Sequence, residues 1–386
     1  MKQLNGMKDL NKYWMITMTE EWRLIEFDGL PGSESQTVYH AVGLAMERYD
    51  DIENTIIICW PDDPAVCVGY HQIIEEEVDT EYCRKNNIPI VRRPLGGGAV
   101  YLDSGQLFYQ IIGRLDSKKL PQNVAKLYEK VLQAPIETYR AIGINAEYAP
   151  VNDIQADGKK ISGNGAAEVG GGRILTGNLI FDFNFDEMVK ILKVPNEKFR
   201  DKIASSLRER LGTIKGFLEN PPDKQAVKKI LIEKFEEMLD VKFRMDNKFL
   251  PKEQEINEEL LKQYRSEEWL NIPIHRKSEL MEKRKVKIST TTQIYESVYK
   301  APGGLIRIFF EVEEDFIKDA IISGDFSAEP MNTPELIENA LIGTLLNPKH
   351  IYSKVAQVFD SEKIDIPGVS PDDFVKAIEL SVKDLF

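Results

Sequence analysis

The stretch VRRPLGGGAVYLDSG, residues 91–105, constrains this chain more than any other. Ordering three consecutive glycines is entropically expensive, because glycine gives up more backbone freedom than any other residue. Such a run persists where the backbone must approach something too closely for a side chain. One reading is a bulge at a sheet corner. The other is an anion cradle, in which bare N–H groups converge on a ligand. Arg92 and Arg93 favour the cradle, since arginine offers permanent charge and a planar fork for phosphate. Two adjacent buried arginines without an anion would also be costly. The standard nucleotide loops do not fit. A phosphate loop needs Lys-Ser/Thr and a helix after its glycines, whereas Ala99 and Val100 here open a strand. The run from Gly163 to Glu168 fails the dinucleotide fingerprint at its last position and follows no βαβ unit.

Around this stretch the hydrophobic pattern alternates between strand and helix periods without a strict βαβ order. Ser33, three residues before Gln36, has capping-box spacing, and Val38, Ala41, Val42, Ala45 and Met46 follow at helical period. TIIIC and AVCVG read as strands joined by the turn WPDDP, and IPIVRR ends a third strand at the glycines. GAVYL and QLFYQII read as two strands of a tight hairpin about DSG. A helix over 123–142 should kink at Pro135. NDIQADGKKIS reads as a hairpin turning at Asp157-Gly158, and RILTGNLIFDF as a strand before a short helix starting at Asp186. Residues 221–269 read as helical and highly charged. Long strands return after about residue 281, followed by a helix with proline at its first position (Thr333-Pro334) and a last helix in SPDDFVKAIELSV. The fold class expected is α+β: mixed, mostly antiparallel sheets packed with helices, plus a smaller α+β C-terminal domain. The divisions expected are a loose tail over 1–20, a catalytic-size domain over 21–280 and a second domain over 281–386.

Composition narrows the partners. A net charge of −13 and a pI near 5.1 argue against nucleic acid. No apolar run reaches the length of a membrane span. Met1, Met7, Met15 and Met18 leave the translation start ambiguous, and no apolar core of a signal peptide precedes them, so a cytoplasmic location is expected. The three cysteines, Cys59, Cys67 and Cys83, show no metal spacing, and the first two sit in apolar runs as core thiols. The four histidines are scattered, so no intrinsic metal site is expected.

Lys159 and Lys160 follow a hairpin turn, so their side chains leave opposite faces of the strand. One should be solvated and the other point inward to a ligand, beside Ser162, Gly163, Asn164, Gly165 and Ala166, which are small enough to leave room.

Taken in order, RRxxGGGAVYxD, then ND, GKKISGNxA and a GGR-to-strand segment closely resemble the lipoate–protein ligases, of the superfamily shared with biotin ligases and octanoyltransferases. The resemblance covers about residues 22–269, ending at YRSEEW. PGGLIRIFFEVEEDFIKDAIISGDF resembles the accessory C-terminal domain that some of these ligases carry. A biotin ligase would show GRGRxG in place of RRxxGGG. The resemblance implies an ATP-dependent enzyme that uses Mg2+ with its ATP, takes lipoate or octanoate, and modifies a lysine of a lipoyl-carrier domain. It gives Lys160 the catalytic role, in contact with the lipoyl carboxylate and the adenylate phosphate. It sets Arg93, Gly98, Ala99, Val100 and Tyr101 along ATP, with Asn152 and Asp153 bordering the adenylate. Arg92, Gly96, Gly97, Gly163, Thr176 and Gly177 would line the lipoyl group and phosphate.

Two positions depart from the family. Leu102 stands where histidine usually precedes the aspartate, and Leu175-Thr176-Gly177 replaces HHG. These changes keep a non-catalytic lipoyl-domain binding protein in view. The other alternative, an octanoyl- or lipoyl-transferase, needs a nucleophilic cysteine before the motif hairpin. NAEYAP offers Ala146 there.

Overall fold

The structure, a computed structural model, describes residues 19–193, 200–246, 248–272 and 292–382. The expected boundary near residue 281 and nearly all of the expected tail lie outside the described residues. The strands are β1 (Glu20–Leu30), β2 (Thr55–Pro61), β3 (Ala65–Val68), β4 (Ile90–Arg92), β5 (Val100–Leu102), β6 (Gln106–Arg114), β7 (Glu147–Ala149), β8 (Asp153–Ala156), β9 (Lys159–Ser162), β10 (Asn164–Val169), β11 (Gly172–Ile180), β12 (Val241–Met245), β13 (Thr292–Ala301), β14 (Gly304–Glu313) and β15 (Phe316–Gly324). A six-stranded sheet in the order β10-β11-β6-β2-β1-β12 forms the centre. Its pairings are antiparallel except β1 with β2 and β1 with β12. Strand alternation builds a core on each face. Trp22, Leu24, Ile56, Ile58, Tyr109 and Ile111 pack under the helices Val124–Val131, Gln133–Ala141 and Lys224–Leu239. Ile25, Ile57, Cys59, Phe108 and Ile112 pack under Val38–Arg48 and Pro251–Tyr264. Two smaller sheets, β4-β3-β5 and β7-β8-β9, flank the centre and carry the motifs.

Several expectations change. The tight turn at Asp103–Gly105 is present, with Gly105 N–H donating to Asp103 Oδ1 at 2.8 Å. Its flanking strands nevertheless do not pair with each other: β5 pairs with β3, and β6 with β2 and β11. The reason is burial. Nearly every residue of β6 is buried on both faces, so it needs long partners on both edges, and three-residue β5 cannot supply one. Ser33 does not cap a helix; it is itself helical and leads into one 3-10 turn at Glu34–Gln36 before the helix Val38–Arg48. The apolar face over 38–46 is buried as its period required. The helix over 123–142 breaks rather than kinks, at Leu132, three residues before the proline whose missing N–H cannot continue the ladder. Residues 221–269 are not wholly helical: Asp240, at φ 53°, ends a helix in the left-handed region and the chain adds β12 beside β1. Pro334 is second in its helix, after Thr333, with Asn332 at the cap. The helix Pro348–Ser361 has no counterpart in the sequence reading.

The C-terminal unit is the antiparallel sheet β13-β14-β15 with three helices on one face. Its other face meets the N-terminal unit. Phe309 and Ile321 pack on Ile73, and Arg307 lies 3.7 Å from carboxylate oxygens of both Glu76 and Glu77.

Candidate functional site

The two arginines have different tasks. Arg92 ends β4 with its side chain fully buried. It donates to the carbonyls of Gly69, Tyr70 and Gln72 at 2.7–2.9 Å and to those of Trp269 and Leu270, pinning two distant segments together. Arg93 turns the other way. Its guanidinium donates to Gly96 O at 2.7 Å, Gly98 O at 2.9 Å and Cys67 O at 3.4 Å, so it folds the glycine loop around itself. Gly97, at φ +97°, is held in the region that favours glycine, and a Cβ there would stand 2.7 Å from Arg93 Nη2.

The lysine hairpin forms as its turn chemistry demands. Asp157 and Gly158 take φ 48° and 73°, the left-handed pair of a two-residue β-turn, and Ala156 pairs with Lys159. The two lysines then diverge. Lys159 Nζ donates to Arg208 O at 3.2 Å on an outer helix. Lys160 Nζ stands 2.6 Å from Asp153 Oδ1, as an ion pair rather than an aligned hydrogen bond, with its side chain 43% exposed. Residues 152–153 and Lys160 are therefore one cluster. Beyond it the chain is bare: the nearest neighbours of a Cβ at Gly163 would be Lys160 Cε at 3.8 Å, Asn178 Oδ1 at 3.9 Å and Lys160 Nζ at 4.0 Å. Leu95 of the glycine loop reaches to 3.6 Å of the equivalent point on Gly165, so the loop closes on β10, the strand that follows the hairpin. Thr176 and Gly177 form the floor on β11, opposite Gly165 and Asn164.

Along β5, Ala99 and Tyr101 pack against a small core while Val100 is 40% exposed. Burial pushes the Tyr101 phenol up to about 12. At the end of that strand burial also raises the Asp103 carboxyl, against the hydrogen bonds from Gly105 and Gln106. Asp103 borders a cavity of about 590 Å³ that Asp182, Lys215 and Lys224 also line.

Polar residues inside apolar strands complete the site, and the sequence reading passed over them. Gly163 N–H donates to Asn178 Oδ1 at 2.9 Å, Asn178 to Gln106 at 2.9 Å, and Gln106 to Tyr101 O at 2.8 Å. This chain ties the hairpin to β5. The one sequence signal was amides at Gln106, Gln110 and Asn178 where the strand pattern called for apolar groups. The accessory unit was also not foreseen at the glycines. A Cβ on Gly96 would fall 2.4 Å from Phe326 O and 2.5 Å from Ser327 Cα, His71 stacks on Phe326, and Gly324 N–H donates to His71 O. In this arrangement the close neighbour of Gly96 is protein backbone.

Similarity to known proteins follows the same two units. The lipoyl protein ligase A/B catalytic domain family matches residues 43–236, and the bacterial lipoate protein ligase C-terminus family matches 293–378. Lipoate-protein ligase LplJ of Bacillus subtilis is 29% identical over 344 residues, covering 87% of this chain and 96% of that protein. The bipartite lipoate protein ligase of Thermoplasma acidophilum, studied with its E2 lipoyl domain, superposes with a TM-score of 0.56 at 32% identity, over 66% of this chain and 96% of that one. A lipoate-protein ligase A solved with ATP gives 0.54 at 30%, over 65% and 98%. Octanoyltransferase LipM of Carboxydothermus hydrogenoformans is 27% identical over 65% of this chain and 98% of that protein. Matched in both units and spanning nearly the full length of these ligases, the chain belongs to the lipoate–protein ligase family of enzymes.

Proposed function

We propose that this chain is an ATP-dependent ligase that activates lipoate and transfers it to a lysine of a lipoyl-carrier domain. The observation that carries the reading is Lys160, held by Asp153 beside the bare backbone of Gly163. In the first step a carboxylate oxygen of lipoate attacks the α-phosphorus of ATP, and pyrophosphate leaves with the bond electrons. Lys160 meets the negative charge that gathers on the phosphate and acyl oxygens; such fixed electrostatic stabilisation is commonly the largest catalytic contribution. Arg93, Gly98, Ala99, Val100 and Tyr101 border the nucleotide, with Asn152 and Asp153 beside the adenylate. Gly97, Gly163, Thr176 and Gly177 frame the acyl and phosphate groups, whereas buried Arg92 acts only by fixing carbonyls and Gly96 by admitting the backbone of Phe326 and Ser327. Bound to the nucleotide phosphates, Mg2+ would offset their charge. In the second step the carrier's amine attacks the acyl carbon, AMP leaves, and the amine gives up a proton.

A cysteine-dependent transfer is the weaker reading. All three cysteines are buried, and burial pushes Cys59 up to about 12 and Cys83 up to about 11, far from a ready thiolate. Position 146 is a fully buried alanine.

The test is lipoate-dependent ATP–pyrophosphate exchange followed by carrier modification. Lys160→Ala should abolish exchange, Lys159→Ala should largely keep it, and a variant with Ser or Ala at all three cysteines should retain transfer to the carrier lysine. A thioester-linked acyl-enzyme seen by mass spectrometry would move the function to the transferases. Absence of exchange in the wild type would leave a binding protein.

A further inference from the structure

Asn164 and Asn152 clamp one another. Asn152 Nδ2 donates to Asn164 O at 2.6 Å, and Asn164 Nδ2 donates to Asn152 O at 2.8 Å. Asn164 Oδ1 in turn accepts the hydroxyl of Tyr109 at 2.5 Å. Tyr109 rises from the central strand β6, wholly buried, with burial pushing its phenol up so that it remains a donor. Ser162 Oγ lies 3.3 Å from the same oxygen. Gly177 makes the arrangement possible, since a Cβ there would fall 2.0 Å from Asn164 Oδ1 and 2.4 Å from Tyr109 Oη. The clamp fixes the residue next to Asp153, whose carboxylate holds Lys160 Nζ at 2.6 Å.

We infer that Tyr109 and Asn164 are positioning residues for Lys160, acting through the Asn152 clamp and the Asp153 carboxylate. The inference rests on the adenylation role proposed for Lys160. Neither residue needs to touch a substrate. Tyr109 sits on a rigid, doubly buried strand, so its hydroxyl supplies a fixed reference point for an otherwise short and half-exposed hairpin. A site built this way loses rate rather than affinity when the reference is removed, because a displacement on the order of 1 Å can cost about a hundredfold in the reacting geometry.

The experiment compares the full-length wild type with Tyr109→Phe, Asn164→Ala and the double variant, reading lipoate-dependent pyrophosphate exchange against lipoate and ATP concentration. Tyr109→Phe removes one oxygen and should lower kcat about tenfold, and Asn164→Ala about a hundredfold, with each KM within about threefold of wild type. Because Tyr109 acts through Asn164, the double variant should match Asn164→Ala rather than multiply the two losses. If Asn164→Ala does not fold, Tyr109→Phe carries the test through its kcat-against-KM split at an unchanged melting temperature. Wild-type kcat in a folded Tyr109→Phe, or loss confined to KM, overturns the positioning role. Absence of exchange in the wild type would overturn the adenylation reading and this inference with it, which separates the two failures.

Discussion

Replacing Arg92 by methionine keeps the length of the side chain and removes its guanidinium. Five carbonyls then lose a donor, those of Gly69, Tyr70, Gln72, Trp269 and Leu270, although Gly69 O keeps the Gln72 N–H at 3.1 Å and Trp269 O keeps the Asn271 N–H. The contacts to Tyr70, Trp269 and Leu270 are partly buried, so water can replace them at small cost. Those to Gly69 and Gln72 are buried. Of these two, only Gln72 O is left without a donor; an unsatisfied buried carbonyl costs about 2 kcal/mol, so Arg92→Met should destabilise the catalytic unit by about 2 kcal/mol. For a domain of this size that corresponds to a fall in melting temperature on the order of 5 °C. Arg93→Met is the control. All of its contacts are partly buried, so its loss should cost only about 1 kcal/mol, while the glycine loop loses the fork that shapes it and exchange activity collapses. The assay pairs thermal unfolding by circular dichroism with ATP–pyrophosphate exchange. An Arg92→Met protein within about 1 kcal/mol of wild type would refute the division of labour. So would an Arg93→Met protein that is equally unstable yet fully active.

His40 is buried with Nδ1 2.8 Å from Tyr264 Oη, and burial pushes its pKa down from 6.5 to about 4. The unfolded chain therefore binds a proton that the folded one refuses, so stability is full above about pH 6.5 and falls by roughly 3 kcal/mol as pH drops to about 4. Urea unfolding from pH 7 to 4.5 should show a flatter slope for His40→Gln, and identical slopes would remove His40 as the cause. Gly96→Ala places a methyl group where Phe326 and Ser327 lie, and Arg307→Ala removes the contacts to Glu76 and Glu77. Together they should loosen the accessory unit from the glycine loop and increase the radius of gyration in small-angle scattering, whereas scattering identical to wild type would show that the contact carries little energy.

Local chemistry made much of this protein legible in the sequence. Asp157-Gly158 specified a hairpin turn because those residue types adopt its left-handed backbone at little cost, and the turn in its turn specified that Lys159 and Lys160 diverge. The helical period over 38–46 specified a buried face, and the ordered motifs specified the family. Tertiary structure decided what depends on distant partners. Nothing local distinguishes Arg92 from Arg93, yet one lies in a nest of carbonyls drawn from residues 69–72 and 269–270 and the other shapes the glycines. The turn at 103–105 was readable, but the separation of β5 and β6 into different sheets came from competition for long partners that lie far apart in the chain. Tyr109 reads in sequence as one more large residue in a core strand; only the approach of Asn164 across Gly177 gives its hydroxyl a task. Periodicity and turn chemistry act over a few residues, whereas hydrogen-bond partners are assigned by packing, which requires the whole chain.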